Sequence, residues 1–264
     1  MYPELNGLLG ADPESPERRQ FTLISGHKTD AGFLLHHFLS YYLKAGCRVC
    51  FVALAQSFSH YNIIGQKLGV SLLSCRDRGQ LSTGSDLRPL YDFITAALAP
   101  SAGEQWKCPV LIIDDVSVLL SLGVTTLQVQ DLLHYCRASV CHRYQGAVVC
   151  LLQGGDGSED SDHERLLKSL WHQSGLFLQV EGLVTGFCKD VHGQLTITWR
   201  TQERHRTLIY QYKIHDKTVS FFARGPVWCR PVTHRCDGCC IRSSYQGALW
   251  PRLRGFTKPQ RRQK

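Results

Sequence analysis

Apolar positions along the chain fall into two kinds of run. Phe21–Ser25, Arg48–Ala55, Pro109–Asp115 and Ala147–Gln153 contain short continuous apolar stretches. That is the pattern of strands buried on both faces of a parallel sheet. The segments between them are spaced differently. Phe33–Lys44 places apolar residues at 34, 35, 38, 39 and 42, which predicts a helix, with Gly46 just past it as a stop. Phe58–Leu68, ended by Gly69, predicts a second helix. Asp86–Leu98 predicts a third, with Asp86 placed to cap its start. Thr125–Arg143 reads as one long helix and Glu164–Gln173 as a shorter one, with an exposed acidic loop, 154–162, before it. From residue 176 the period changes to that of strands: Leu176–Val180, Gln194–Arg200, Thr207–His215 and Thr218–Phe222, the last two joined tightly through Asp216-Lys217. The first twenty residues carry no clear period and read as irregular. Strand–helix alternation followed by a β meander predicts an α/β fold: a mostly parallel sheet flanked by helices and extended by C-terminal antiparallel strands.

The turn between the first strand and the first helix, Ile24-Ser25-Gly26-His27-Lys28-Thr29-Asp30-Ala31-Gly32-Phe33, lies where a nucleotide-binding enzyme carries its phosphate loop. A working loop reads G-x-x-x-x-G-K-[ST]: its backbone N–H groups wrap the phosphates, the Lys neutralises charge and the hydroxyl holds Mg²⁺. Counted from Gly26, those last three positions fall on Ala31, Gly32 and Phe33; counted with Gly32 as the second glycine, the last two fall on Phe33 and Leu34. Neither register supplies the Lys or the hydroxyl. Lys28 and Thr29 lie inside the loop and would reach a phosphate only by another geometry. Asp114 stands where ATPases of this kind place the carboxylate that orders Mg²⁺, but no Glu adjoins Asp114 and Asp115 as a base for water. The plainer reading is that one of the two caps the following turn. Gly26, Lys28, Thr29, Gly32 and Asp114 are therefore vestigial positions: no cofactor and no catalytic residue is expected.

Charge alters the picture at one end. Residues 224–264 hold 10 of the 30 Lys+Arg and 1 of the 22 Asp+Glu, a local balance of +9 that leaves −1 for residues 1–223. The overall +8 belongs to the tail, so the body does not read as a basic nucleic-acid-binding domain. Within the tail, Cys229, His234, Cys236 and Cys239 are weak zinc candidates: one knuckle is malformed, Cys240 is surplus and no second regular pair exists. The tail reads better as a disordered basic extension. Eight other cysteines are scattered through the body, mostly in apolar runs, and behave as small apolar residues. Cys47-Arg48-Val49-Cys50 matches a redox C-x-x-C, but on a strand residues three apart face opposite ways. His36 and His37 are adjacent and cannot form an i, i+4 metal pair. His134, Cys141 and His142 share the long helix and read as packing rather than ligands. No Gly-x-Ser-x-Gly elbow anchors a hydrolase. No apolar run approaches the roughly 18 residues of a membrane helix, and the N-terminus lacks the features of a secretory signal, so a soluble intracellular protein with no membrane partner is expected.

KTDAGFLLHHFLSYYLKAGCRVCFVALAQSFSHYNIIGQKLGVSL (28–72), GLVTGFCKDVHGQLTITWR (182–200) and YQYKIHDKTVSFFAR (210–224) resemble the sixth-subunit family of the Elongator complex, and the resemblance covers most of residues 1–224. It implies a RecA-like (P-loop NTPase-like) domain over 21–223 without a working phosphate loop, after an irregular 1–20 and before the basic tail 224–264. It also implies a non-catalytic partner of subunits four and five in a hetero-hexameric ring. That ring joins the core Elongator subcomplex, contacts tRNA and supports carboxymethyl-type modification of the wobble uridine, in the cytoplasm and also the nucleus. Two departures stand out. After Gly79-Gln80-Leu81 the family continues with an apolar strand and a longer segment, whereas here Leu81 runs straight into STGSDLRPLYDF, so one strand is expected to be missing. The family also ends soon after the SFFAR-like strand, whereas here Gly225 begins a 40-residue tail. Both departures fit a variant with a shortened middle and an altered C-terminus. Two rival readings remain: an active RecA-class ATPase using Lys28, Thr29 and Asp114, and a zinc- or RNA-binding module in the tail.

Overall fold

The computed structural model describes residues 1–78, 80–84, 90–100, 105–154, 161–183, 188–200 and 205–223, with backbone alone for 81–84. Among them nine strands form one sheet in the order β3-β2-β4-β5-β1-β6-β7-β8-β9. The strands are β1 (Phe21–His27), β2 (Arg48–Val52), β3 (Leu81–Gly84), β4 (Pro109–Ile113), β5 (Ala147–Gln153), β6 (Leu176–Gly182), β7 (Gly193–Arg200), β8 (His205–Ile214) and β9 (Val219–Ala223). Pairing is parallel from β3 through β6 and antiparallel from β6 to β9. This is the α/β, RecA-like arrangement expected, a mostly parallel sheet lengthened by a C-terminal meander. Met1–Gly225 is one compact unit; Pro226–Lys264, with the candidates Cys229, His234, Cys236 and Cys239, lies outside the described residues.

Strand alternation sorts the core into two layers. Val49 and Phe51 of β2, Val110 and Ile112 of β4, and Val149 and Leu151 of β5 point to one face. Cys50 and Val52, Leu111 and Ile113, and Val148, Cys150 and Leu152 point to the other. The first face is covered by α1 (Pro3–Leu9), α2 (Gly32–Lys44), α3 (Phe58–Lys67) and α4 (Leu72–Asp77), the second by α5 (Leu90–Leu98), α6 (Ser117–Ser121), α7 (Thr126–Arg137) and α8 (Ser161–Gln173). β2, β4 and β5 are therefore buried along all but one end residue each, whereas β8 and β9 keep exposed positions. Among the described residues no helix is long and apolar enough to cross a membrane.

Cys47 and Cys50 sit in opposite layers, as strand geometry requires. The thiol beside Cys47 is that of Cys108, 3.4 Å away on the neighbouring strand end. Burial pushes the Cys50 thiol up to about 12 and that of Cys141 to about 11, so neither supplies a thiolate at neutral pH. His36 and His37 diverge: His37 is fully buried and its Nδ1 accepts the Tyr2 N–H at 3.0 Å, while His36 faces Tyr61 of α3.

Several expectations are corrected. The first twenty residues are not irregular throughout: Pro3 opens α1, Leu5 and Leu9 bury one face, and Gly10 closes it at φ 68. Seven residues show too little period to be read in isolation, and packing on α2 makes the helix. The strand expected to be missing after Leu81 is present as β3, four residues paired to β2 at the sheet edge. The long helix Thr125–Arg143 is α7 followed by a π-helical turn, Ala138–Arg143, in which the adjacent residues Val140 and Cys141 are both buried. The Asp86 cap lies outside the described residues, as do residues 155–160 of the acidic loop.

Candidate nucleotide-loop site

β1 and β4 end on the same edge of the sheet with β5 between them, so the loop after β1 and the pair Asp114-Asp115 after β4 are brought together across Gln153, the last residue of β5. Open α/β sheets bind ligands at this carboxyl edge. The sequence reading placed Gly26, Lys28, Thr29, Gly32 and Asp114 here, and the fold does gather them. What each touches decides what the site can do.

The helix start that would receive a phosphate is already supplied with oxygen. Asp30 Oδ1 accepts the Gly32 N–H at 2.7 Å, and Gln153 Oε1 lies 3.4 Å from the Ala31 N–H. Gln153 Nε2 also donates to the Thr29 carbonyl. Its side chain packs so closely under Gly26 that a Cβ there would collide with Gln153 Oε1. The space a phosphate loop keeps open is filled by an amide. A phosphate entering beside Asp30 would meet a like charge, worth about 4 kcal/mol at ~4 Å near a protein surface. A helix N-terminus returns only about 0.3–1 kcal/mol at an exposed position. Repulsion wins.

The remaining positions are committed in the same way. Thr29 Oγ1 lies 3.4 Å from the hydroxyl of buried Tyr212, whose ring packs 5.0 Å from Phe33, the residue standing where a loop of this kind holds a metal-binding hydroxyl. Lys28 is exposed, in left-handed backbone at φ 54, and faces a groove of about 910 Å³ that also holds Asp115, Asp162, Glu164 and Glu181.

Asp114 is 1% exposed, and its carboxylate accepts the N–H groups of Leu54, Ala55 and Gln56 and the Tyr61 hydroxyl (2.6 Å). Burial raises its pKa, and those hydrogen bonds hold it back down. The carboxylate therefore caps the loop after β2 rather than its own turn. Asp115 caps its own turn through the Ser117 N–H (3.1 Å) and hydroxyl (2.6 Å), and also accepts the Gln153 N–H. The cleft between α2 and α3, about 340 Å³, is lined by Asp30, Asp114 and Asp115 with His36 and His60, and, among the described residues, by no Lys or Arg. Among the described residues no group of His, Cys, Asp and Glu is arranged to hold a metal ion. His134 and His142 are exposed on their helix while Cys141 is buried, so these three do not converge.

Gln153, Asp30, Tyr61 and Tyr212 were not singled out in the sequence. Gln153 is the one with a local signal, a polar residue closing an otherwise apolar strand. Asp30 acts on the N–H two residues on, whereas Tyr61 and Tyr212 act through contacts between segments far apart in the chain.

Comparison with known proteins agrees with the resemblance. A family model described as Elongation complex protein 6 matches residues 2–83 and 81–216. Elongator complex protein 6 of Xenopus laevis is 56% identical over 259 residues, covering 85% of this chain and 98% of the relative. The protein of that name from Homo sapiens is 48% identical over 260 residues, and that from Danio rerio 43% over 260, with the same coverage. An alignment of 259 residues that uses 85% of a 264-residue chain must contain positions this chain lacks. The two family-model segments meet at residues 81–83, which places that gap at β3, where the shortened middle was expected. Matched over most of its length by the family model and by relatives at 43–56% identity, the chain belongs to the Elongator complex protein 6 family.

Proposed function

We propose that the chain is a structural, non-catalytic subunit of the Elongator complex. In this reading it sits with subunits four and five in a hetero-hexameric ring of RecA-like domains and joins the core Elongator subcomplex. The ring contacts tRNA and supports carboxymethyl-type modification of the wobble uridine, in the cytoplasm and also the nucleus. Residues 21–223 act as the RecA-like domain without a working phosphate loop, and no cofactor is used. The names of the relatives support membership of the complex. The observation that favours a non-catalytic role is the occupation of the loop by its own chain: Asp30 and Gln153 take the N–H groups a phosphate would use, and the four donors on Asp114 leave its carboxylate no place on a metal. A ring subunit needs two distinct surfaces for its neighbours, which asks nothing of this loop except a fixed shape.

The test is co-purification of the full chain with the sister subunits, followed by tRNA binding and nucleotide turnover by the assembly. Stable co-assembly with unchanged turnover in Lys28→Ala is expected. Mg²⁺-dependent ATP hydrolysis by this chain that disappears with Lys28→Ala would overturn the non-catalytic reading.

A further inference from the structure

The parallel strands have a second end, opposite the occupied loop, and its charge is of the other sign. At this amino edge a cleft of about 560 Å³ is lined by Arg18, Arg19, Arg137, Arg200 and His172, with Glu17 the one carboxylate among the described residues of the lining. The body as a whole carries a balance of −1, so four guanidiniums in one cleft are a local concentration, not a share of a basic surface. None of the four forms an ion pair among the described residues.

The fold positions these groups deliberately. Arg19 and Gln145 both hold left-handed backbone, each at φ 58, a conformation that costs free energy for residues other than glycine. They support one another: the Arg19 N–H donates to the Gly146 carbonyl at 2.7 Å and its Nε to Gln145 Oε1. Arg18 is anchored on the Lys107 carbonyl at 3.1 Å. The Arg200 guanidinium carbon lies over the Trp171 ring, 4.3 Å from its centre, and the side chain donates to the Trp171 carbonyl, while its buried Nε has no partner among the described residues. Four guanidiniums in one cleft with no ion pair among the described residues fit a ligand that brings several oxyanions. Arginine matches phosphate geometry bidentately, and a guanidinium resting on an aromatic ring is a platform on which a nucleobase can stack.

We propose that this amino-edge cleft binds the phosphate backbone of RNA. The proposal rests on the reading that the subunit works in contact with tRNA, and names where on this chain the contact lies. A small free phosphate shares the chemistry, and the experiment separates the two. The full chain is treated with phenylglyoxal alone, with bulk tRNA, and with inorganic phosphate or triphosphate at matched phosphate concentration, and modified arginines are read by mass spectrometry. With tRNA, a severalfold drop in modification of Arg18, Arg19 and Arg137 is expected, while exposed Arg76 and Arg165 react as before. Because the readout is residue by residue, RNA held by the basic tail does not obscure it. In Arg137→Gln the slope of log affinity for tRNA against log salt falls by about one, as for loss of a single phosphate contact. Equal reactivity of all five arginines with and without tRNA overturns the proposal, and so does protection by the small phosphates as complete as that by tRNA. Failure to co-purify with sister subunits would overturn the assembly reading and leave this footprint unaltered.

Discussion

Asp114 accepts hydrogen bonds from three successive N–H groups, Leu54 to Gln56, and from Tyr61, whose ring in turn packs edge-on against Phe51 at 4.6 Å. Asp114→Ala takes the acceptor from all four donors, of which the Tyr61 hydroxyl is buried while Ala55 and Gln56 are open to water, so a stability loss of about 1–3 kcal/mol is expected from urea unfolding. A change under about 1 kcal/mol would mean that water replaces the carboxylate. His37 makes a different prediction. Burial lowers its pKa to about 3, and that of the neighbouring His36 to about 4, both below the ordinary 6.5. The unfolded chain therefore binds protons first as pH falls. The stability these neutral rings allow is complete above 6.5 and declines as pH drops from 6.5 towards 4, at up to ~1.4 kcal/mol per pH unit for each group. His37→Asn keeps an acceptor for the Tyr2 N–H but does not titrate, so its midpoint temperature should fall less than that of wild type between pH 7 and pH 4. Parallel pH curves for the two proteins would remove His37 from the account.

At the scale of elements, the turn from β1 to α2 is held by one side chain from β5. Gly26→Ala pushes a methyl group into Gln153 and should destabilise by 1–3 kcal/mol, the usual cost of overpacking. Gln153→Ala opens that space, so the double variant should recover part of the loss. Additive losses would show that the contact does not set the loop. Helix α7 begins with a capping box between Thr125 and Gln128, and Thr125→Ala should cost about 1 kcal/mol in thermal unfolding. Most elements were legible because their periods are long and strong: β1, β2, β4, β5 and α2 appear where apolar spacing put them. The elements missed were short. α1, α4, α6 and β3 have four to seven residues each; the three helices are held by what they pack on and β3 by its pairing with β2. The π turn after α7 escaped for another reason: its residues fit helical spacing, and the wider turn shows only when Val140 and Cys141 are both accommodated on the core.

For the whole molecule, the occupied loop predicts that Mg²⁺-ATP adds no stability. A bound nucleotide at a hundred times its dissociation constant would add about 2.7 kcal/mol and raise the unfolding midpoint by an easily measured amount; an unchanged midpoint is expected, and a saturable rise would reopen the site. Continuous apolar runs and their order along the chain were enough to require a mostly parallel sheet with helices on both faces, because strands without a polar face have nowhere to sit except between two layers. The failed register at Phe33 and Leu34 was equally plain, since a missing ammonium or hydroxyl is a matter of composition at counted positions. Which groups took the vacated roles was decided only by the fold. Asp30, Gln153 and Asp114 are separated by tens of residues, as are Arg18, Arg137 and Arg200, and no local rule joins them. Parallel pairing places β5 between β1 and β4 and so delivers Gln153 beneath the loop, while the opposite edge of the sheet gathers arginines from the segment before β1, the end of α7 and the end of β7. Sequence periodicity reports which face of an element is apolar; it carries no information about which distant side chain will meet it, because that depends on strand order and register across the whole sheet.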